Sequence, residues 1–475
     1  MNILAIDQGT SATKALVVGP DQEILGQAEV PVATTAVDGD GVEADPEELW
    51  RSVAEAGARA LAASGATADA VALANQGETV LAWDRASGQP LSRAIVWQDR
   101  RSTSICRRLS DRAGELTSIT GLPLDPYFAA PKITWLRENV TRRGVVTTTD
   151  TWLLHRLGAD YVTDAATASR TMLLDLDAVR WSGQACEAFG VDAATLPRIA
   201  DCDEVVGETT VFGRRPVPVA GIAVDQQAAL YAQGCLERGD AKCTYGTGAF
   251  LLVNTGPRAA RSSGGLSASV AWQLSGRATY CLDGQVYTAG SALRWLTEIG
   301  ILSAPADLDR VASTVPDSAG VVFVPALAGL GAPQWAPQAR GQLSGLQLST
   351  RPGHIVRAVA EGIAASVALL ARAAGADIGV PLSSLRVDGG LTRSRVLMQA
   401  QADLLQVPVL AGSSPDATAL GVAALARLAL GEPVSPVSPV SALGTADRVV
   451  HPEISADQAE ARLAAYSSEL ACTLR

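Results

Sequence analysis

The sequence predicts an α/β protein built from two related halves, and three observations carry that expectation. Residues 3–6 form an apolar run that ends in Asp7-Gln8-Gly9-Thr10-Ser11, and a second apolar run, 15–18, follows a few polar residues later. Such a pattern reads as strand, tight glycine turn, strand. It recurs where Tyr245-Gly246-Thr247-Gly248 opens onto the apolar run 249–253. A Gly-Thr turn beside an apolar strand at positions 9 and 246 suggests two halves that each begin with the same hairpin. Between the hairpins, helical patterns alternate with short apolar segments, the mixture expected of an α/β chain.

The elements follow in order. Pro46 followed by Glu47 and Glu48 opens a helix over 46–63, with proline in the first turn and acidic residues at the positive end of the dipole. Apolar segments at 70–74 and 221–224 read as strands, each ending in polar residues: Asn75-Gln76-Gly77-Glu78 and Asp225-Gln226-Gln227. Residues 385–387 form a short strand ending in Asp388-Gly389-Gly390, with a helix from Ser394. The Pro-Val-Ser repeat over 433–441 reads as an exposed, mobile loop, and 455–470 as a closing amphipathic helix.

A chain of 475 residues is too long for one compact core, and at about 100–200 residues per domain it predicts two large domains. The boundary falls near 234–240, giving 1–235 and 236–475. A composition 48% hydrophobic and 18% charged excludes a mainly disordered chain. The charge balance is 38 − 49 = −11 with no Lys/Arg-rich run, so no nucleic-acid partner is expected. Only three basic residues are lysines, Lys14, Lys132 and Lys242; the Arg, Ala and Gly bias reads as genomic drift without functional weight. Asp7 interrupts the first apolar stretch too early for a signal peptide. The apolar helix pattern over 358–373 contains Glu361 and Arg372, so no membrane insertion is expected. Seven scattered cysteines without a CxxC pair suggest neither a zinc site nor a disulfide framework. A reduced, cytoplasmic chain is expected.

The first hairpin gathers Asp7, Gly9, Thr10, Ser11, Thr13 and Lys14. Glycine lets backbone amides approach a phosphate, the hydroxyls donate to it, and Lys14 adds charge. Asp7, at the strand end, suits Mg²⁺, which favours one or two carboxylates plus phosphate oxygens. An ordinary β-turn is the alternative. The second Gly-Thr turn favours the phosphate reading, since two such hairpins facing one another would clamp a polyphosphate. Gly389-Gly390 between strand and helix suits a flat ring lying on the backbone; the alternative is a helix cap on a flexible turn. Glu78 and Asp225, carboxylates at strand ends flanked by amides, suit hydroxyl recognition and proton acceptance. For Asp225 the alternative is the N-cap of a helix over 226–232.

The segments DQGTSATK, NQGETVLAWDRASGQPLSRAIVWQDRR, TGLPLDPYFAAPKITWL, ASRTMLLDL, GIAVDQQAAL, CTYGTGAFLLVNTG, ALAGLGAPQWAPQARG and LRVDGG resemble the FGGY carbohydrate kinases in order and spacing, and among them the glycerol kinases. The resemblance runs from about residue 2 to about 425. It implies two actin-like ATPase domains of the ribonuclease H type around a central cleft where ATP and a small polyol or sugar meet. It implies further that Thr10, Ser11 and Ala12 line the phosphates with Lys14 nearby, and that Thr247, Gly290, Gly390 and Ser394 surround the rest of the nucleotide. Glu78, Tyr127, Asp225 and Gln226 would line the polyol pocket, Asp225 serving as catalytic base. A homodimer or homotetramer is the implied assembly.

Several positions depart from the glycerol kinase pattern. Gly77 stands where those enzymes carry an arginine that contacts the polyol, so weaker glycerol affinity or a bulkier substrate is expected; the alternative is that a nearby arginine, Arg100 or Arg101, swings in to replace it. Lys14 replaces an arginine, Ala12 a serine, Arg294 a glutamine and Ser394 an asparagine. The expected activity is therefore ATP-dependent phosphorylation of a terminal polyol hydroxyl, with glycerol first. Other polyols or ketoses (erythritol, xylulose, ribulose) are the alternatives within the family. An ATP-binding regulator without catalysis is the alternative outside it.

Overall fold

The computed structural model describes residues 1–412, 416–432 and 448–474; the Pro-Val-Ser repeat lies outside them. The chain opens with β1 (Ile3–Gln8), β2 (Ala12–Val18) and β3 (Ile24–Pro31), an antiparallel run. Helix α1 (Pro46–Ser64) starts where Asp45 accepts a hydrogen bond from the Glu47 N–H at 2.9 Å and stops at Gly65, φ 64°. Its buried stripe of Leu49, Val53, Ala56 and Ala60 packs under the sheet, the apolar face of an amphipathic helix.

Strand β4 (Ala70–Asn75) pairs parallel with β1. After a smaller five-stranded sheet and the short helix α2 (Ala165–Ser169), β5 (Val205–Thr209) and β6 (Val217–Val224) complete a six-stranded sheet of order β5-β6-β4-β1-β2-β3. Helix α3 (Asp225–Ala232) leaves directly from β6.

The second half repeats this plan. β7 (Ala241–Tyr245) and β8 (Ala249–Gly256) form its hairpin, followed by β9 (Ser267–Leu274) and β10 (Arg277–Val286). β11 (Leu385–Asp388) lies parallel to β7 as β4 does to β1, then β12 (Val409–Ala411) and the edge strand β13 (Arg448–Val450). The sheet order is β9-β10-β8-β7-β11-β12-β13. The expected duplicated hairpins are thus the matching strands of two sheets, both pairing with a later parallel strand.

The longer helices of this half, among the described residues, are α4 (Gly290–Glu298), α5 (Pro352–Ile378), α6 (Arg395–Leu405), α7 (Ala417–Ala429) and α8 (Ala456–Thr473). By length and composition α5 could cross a membrane, but 67% of its most apolar window is buried. Val359, Ile363 and Val367 join the core of the second sheet, the placement of a buried core helix. Helix α8 begins with the Ser455/Gln458 capping box, so its start follows from sequence chemistry alone.

Helix α7 crosses back to the first sheet, where Ala419, Val422 and Ala426 pack with Ile3, Ala5, Ala70 and Ala72. This approach depends on glycine at two points. A Cβ on Gly421 would meet the Ala228 carbonyl oxygen at 2.1 Å, and one on Gly221 (φ 75°) the Val422 carbonyl oxygen at 2.4 Å. Side chains at either position would push α7 off the sheet.

Candidate active site

A cavity of about 510 Å³ opens between the halves and is lined by residues of both, including Thr10, Ser11, Glu78, Tyr127, Asp225, Gln226 and Thr247. The turns place the first two and the last. Gly9 N–H donates to the Ala12 carbonyl at 3.0 Å, and Gly246 N–H to that of Gly248 at 2.9 Å, closing two similar loops. Thr10 Oγ1 donates to Gln76 Oε1 at 3.1 Å and accepts from Trp97 Nε1 at 2.9 Å. Gly290 stands against the second turn, its N–H 3.0 Å from the Gly246 carbonyl oxygen, and a Cβ there would meet that oxygen at 2.6 Å.

Beneath the first turn Asp7 lies opposite Lys14 in the β1–β2 register. Burial pushes the Asp7 carboxyl up to about 8, Asp225 adding to the rise and Lys14 opposing it. Lys14 Nζ is 2.8 Å from Asp416, at the start of α7. Burial pulls the ammonium down, but Asp416 outweighs it and the pKa lies above its ordinary value. Ala12 is the first residue of β2.

Gly390 opens a 3₁₀ turn at the end of β11. Its neighbour Gly389 has φ 93°, and a Cβ there would meet the Tyr245 carbonyl oxygen at 2.4 Å, so the chain passes tightly over β7. The Ser394 hydroxyl caps α6, accepting from the Leu397 N–H at 3.0 Å, and donates to Asp309. That hydroxyl is therefore engaged by the fold.

Asp225 is the first residue of α3, with Val224 in the cap position; its carboxylate accepts from the Gln226 N–H at 2.7 Å. Burial, then the charge of Glu78, pushes the Asp225 carboxyl up to about 6, against Lys242 and the Gln226 amide. A carboxylate with that value is ionised at neutral pH yet basic enough to take a proton. Lys242 Nζ donates to Gln226 Oε1 at 2.6 Å and to Thr244 Oγ1 at 2.8 Å, fixing the glutamine's orientation from a fully buried position.

Glu78 has a left-handed φ of 58°, a strained conformation for a residue with a side chain. Its Oε1 accepts from Arg170 Nε at 2.6 Å, and Arg170 Nη1 lies 2.6 Å from Asp283 Oδ2 on β10. Arg170, 3% exposed, thereby joins the two halves at the floor of the cleft. Tyr127 packs edge-on to Trp97 at 5.7 Å, and Trp97 likewise to Phe250 at 6.0 Å. Lys132 holds the Tyr127 turn by donating to the carbonyls of Tyr127 and Phe128.

Lys14, Lys132 and Lys242 each secure an element of the site. One alternative of the sequence reading fails here. Arg100 and Arg101 do not replace the arginine absent at Gly77: Arg100 is held by Asp125 at 2.7 Å, and Arg101 by Asp99 at 2.7 Å and Glu43 at 2.9 Å. The arginine beside Glu78 is Arg170, which sequence spacing did not single out. A Cβ on Gly77 would meet one atom only, Val224 Cγ2 at 3.0 Å, so the position faces mostly open space.

Duplicated sheets of this order, with twin Gly-Thr hairpins facing one cleft, form a fold of the actin-like, ribonuclease H type. Residues 2–232 match the N-terminal domain, and residues 241–430 the C-terminal domain, of the FGGY family of carbohydrate kinases. The chain belongs to that family. It is 42% identical to a glycerol kinase of Myxococcus xanthus, over 98% of this chain and 97% of the relative. It is 44% identical to one of Alkalilimnicola ehrlichii, over 90% of each. The crystal structure of Plasmodium falciparum glycerol kinase with ADP matches with a TM-score of 0.93 at 30% identity, covering 100% of this chain and 98% of that one.

Proposed function

We propose that this protein phosphorylates a terminal hydroxyl of glycerol with ATP, giving glycerol 3-phosphate. The observation that carries it is the shared cavity: Asp225, ionised at neutral pH, faces the same space as both phosphate-type turns and Glu78. The glycerol kinases among its relatives support the choice of polyol. Asp225 takes the proton of the attacking hydroxyl, while Glu78, Tyr127 and Gln226 orient the polyol. Backbone amides of the turns, with Thr10, Ser11, Ala12 and Thr247, receive the phosphates. Lys14 adds positive charge near them; Gly290, Gly390 and Ser394 border the rest of the nucleotide.

Asp7 fits a role toward Mg²⁺. Its carboxyl is raised to about 8 by burial and by Asp225, and a divalent cation would reverse that penalty. Among the described residues no group of three or more metal-ligating side chains occurs, so phosphate oxygens and water would complete the shell. When bound, the ion neutralises phosphate charge.

Steady-state ADP release over a panel of glycerol, erythritol, xylulose and ribulose tests the reading. Glycerol-dependent turnover above the other substrates is the expected result; ATP binding without turnover on any of them would leave the regulator. Since the base must be ionised, kcat/KM falls about tenfold per pH unit below about 6. A profile flat to pH 4.5 would exclude Asp225 as the titrating base. Closure of the halves to exclude water predicts a smaller radius of gyration with glycerol and a non-hydrolysable ATP analogue, measured by small-angle scattering.

One observation favours a longer substrate as second reading: the open space at Gly77. Gly77→Arg would fill it with fixed donors. The variant is expected to lower glycerol KM and to reduce activity on substrates longer than three carbons. Unchanged KM and unchanged discrimination would remove position 77 from the pocket. Free cysteines, all but Cys472 buried, agree with a cytoplasmic setting.

A further inference from the structure

The second half brings one more polar group to the cleft that the reading above leaves unused. In an antiparallel pair, directly opposed residues share a face. Leu252 opposes Asp283 and Phe250 opposes Gln285 across β8 and β10, and all four line the cavity that holds Glu78, Tyr127 and Asp225. Asp283 is tied to Arg170, and Phe250 packs against Trp97, so both neighbours of Gln285 on this face are fixed. Gln285 itself is 2% exposed, yet neither its Nε2 nor its Oε1 has a hydrogen-bond partner among the described residues.

Burying an amide with both groups unpaired is costly, and folded proteins seldom leave one so. On the cavity side, a ligand can pair with it. A primary amide offers donors and an acceptor together, which is the complement of a hydroxyl group, itself donor and acceptor. A phosphate oxygen would satisfy the Nε2 donors only and would face Oε1 with like charge. The glutamine therefore suits the polyol better than the nucleotide phosphates.

We propose that Gln285 is a specificity-determining residue that hydrogen-bonds a polyol hydroxyl from the second half, across the cleft from Glu78 and Asp225. This inference rests on the polyol kinase reading. It assigns recognition to both halves: the base and Glu78 come from the first, and a neutral amide comes from the second.

The test compares Gln285→Ala and the near-isosteric Gln285→Met with the parent enzyme on glycerol, propane-1,2-diol and propane-1,3-diol. The expected result is a glycerol KM raised about 10-fold in both variants, with ATP KM within about twofold of the parent. The preference for glycerol over one of the two diols, the one lacking the contacted hydroxyl, shrinks by a similar factor. Unchanged glycerol KM and unchanged diol preference would overturn the proposal. So would a fall in kcat equal on all three substrates, the mark of a packing role. Failure of the parent enzyme to phosphorylate any polyol would remove the kinase reading and this inference with it. A working parent whose variants match it removes the inference alone. If the parent prefers a longer polyol, the same comparison is made with that substrate and its deoxy analogues.

Discussion

Asp225→Ala is expected to lower kcat by about 10²–10⁴-fold, the range a positioned general base contributes, with the affinity for ATP nearly intact. The separation follows from position. Asp225 begins α3 at the end of β6, while the turns proposed to receive phosphate belong to the β1–β2 and β7–β8 hairpins. Its carboxylate is oriented by the Gln226 N–H at 2.7 Å and raised to about 6 by burial and Glu78. Alanine removes the proton acceptor without disturbing the hairpin backbones. A second consequence concerns Asp7, whose elevation to about 8 owes its next contribution after burial to Asp225. Without that neighbouring charge Asp7 ionises at lower pH, so under the role proposed for Asp7 the binding of MgATP should hold or strengthen. Single-turnover phosphoryl transfer together with calorimetric titration of MgATP reads both effects. Activity within tenfold of the parent would remove Asp225 from the catalytic role. A parallel loss of ATP affinity would mean that the substitution disturbs the fold around α3.

The parts legible in the sequence are those written in local chemistry. The twin Gly-Thr hairpins announce themselves because a strand, a tight turn and a strand occupy fewer than twenty contiguous residues. The starts of α1 and α8 follow from Asp45-Pro46 and from the Ser455/Gln458 box for the same reason. The carboxylates at positions 78 and 225 stand out because strand ends face ligands in α/β sheets. What was not legible depends on partners distant in sequence. Arg170 reaches Glu78 across 92 residues and Asp283 beyond it. Lys242 orients Gln226 from β7, a strand whose apolar pattern gives no hint of a buried ammonium. The rarity of lysine in this chain was the available signal, since all three lysines hold site elements. Helix α7 lies on the first sheet although it follows the second in sequence, and only the glycines at 221 and 421 mark that crossing. Asp225 as first helical residue, in place of N-cap, differs by one position, within the usual uncertainty of a helix end.

Arg170→Met should cost about 3–5 kcal/mol of stability, the penalty for breaking a buried ion pair by removing one partner. Arg170 is 3% exposed and is the cation between Glu78 and Asp283. Methionine keeps much of the volume, so packing loss is small and the deficit reports charge. Burial already pushes the Asp283 carboxyl up to about 6 even with the guanidinium drawing it down. Removing Arg170 raises it further, and the direction of the pH dependence follows. Between the unfolded carboxylate pKa near 4 and the raised folded value, the native variant binds more protons than the unfolded chain, so its stability falls as pH rises through that window. The deficit should therefore be larger at pH 8 than at pH 5, measured by urea unfolding against the parent at both values. Adding Asp283→Asn to Arg170→Met should recover part of the loss and flatten its pH dependence, because the added amide carries no charge to desolvate. A loss below about 1 kcal/mol, the range of a solvent-exposed pair, would mean that water reaches this triad. In that case the cleft floor between the halves would be open, and Glu78 would depend on substrate, not on Arg170, for its orientation.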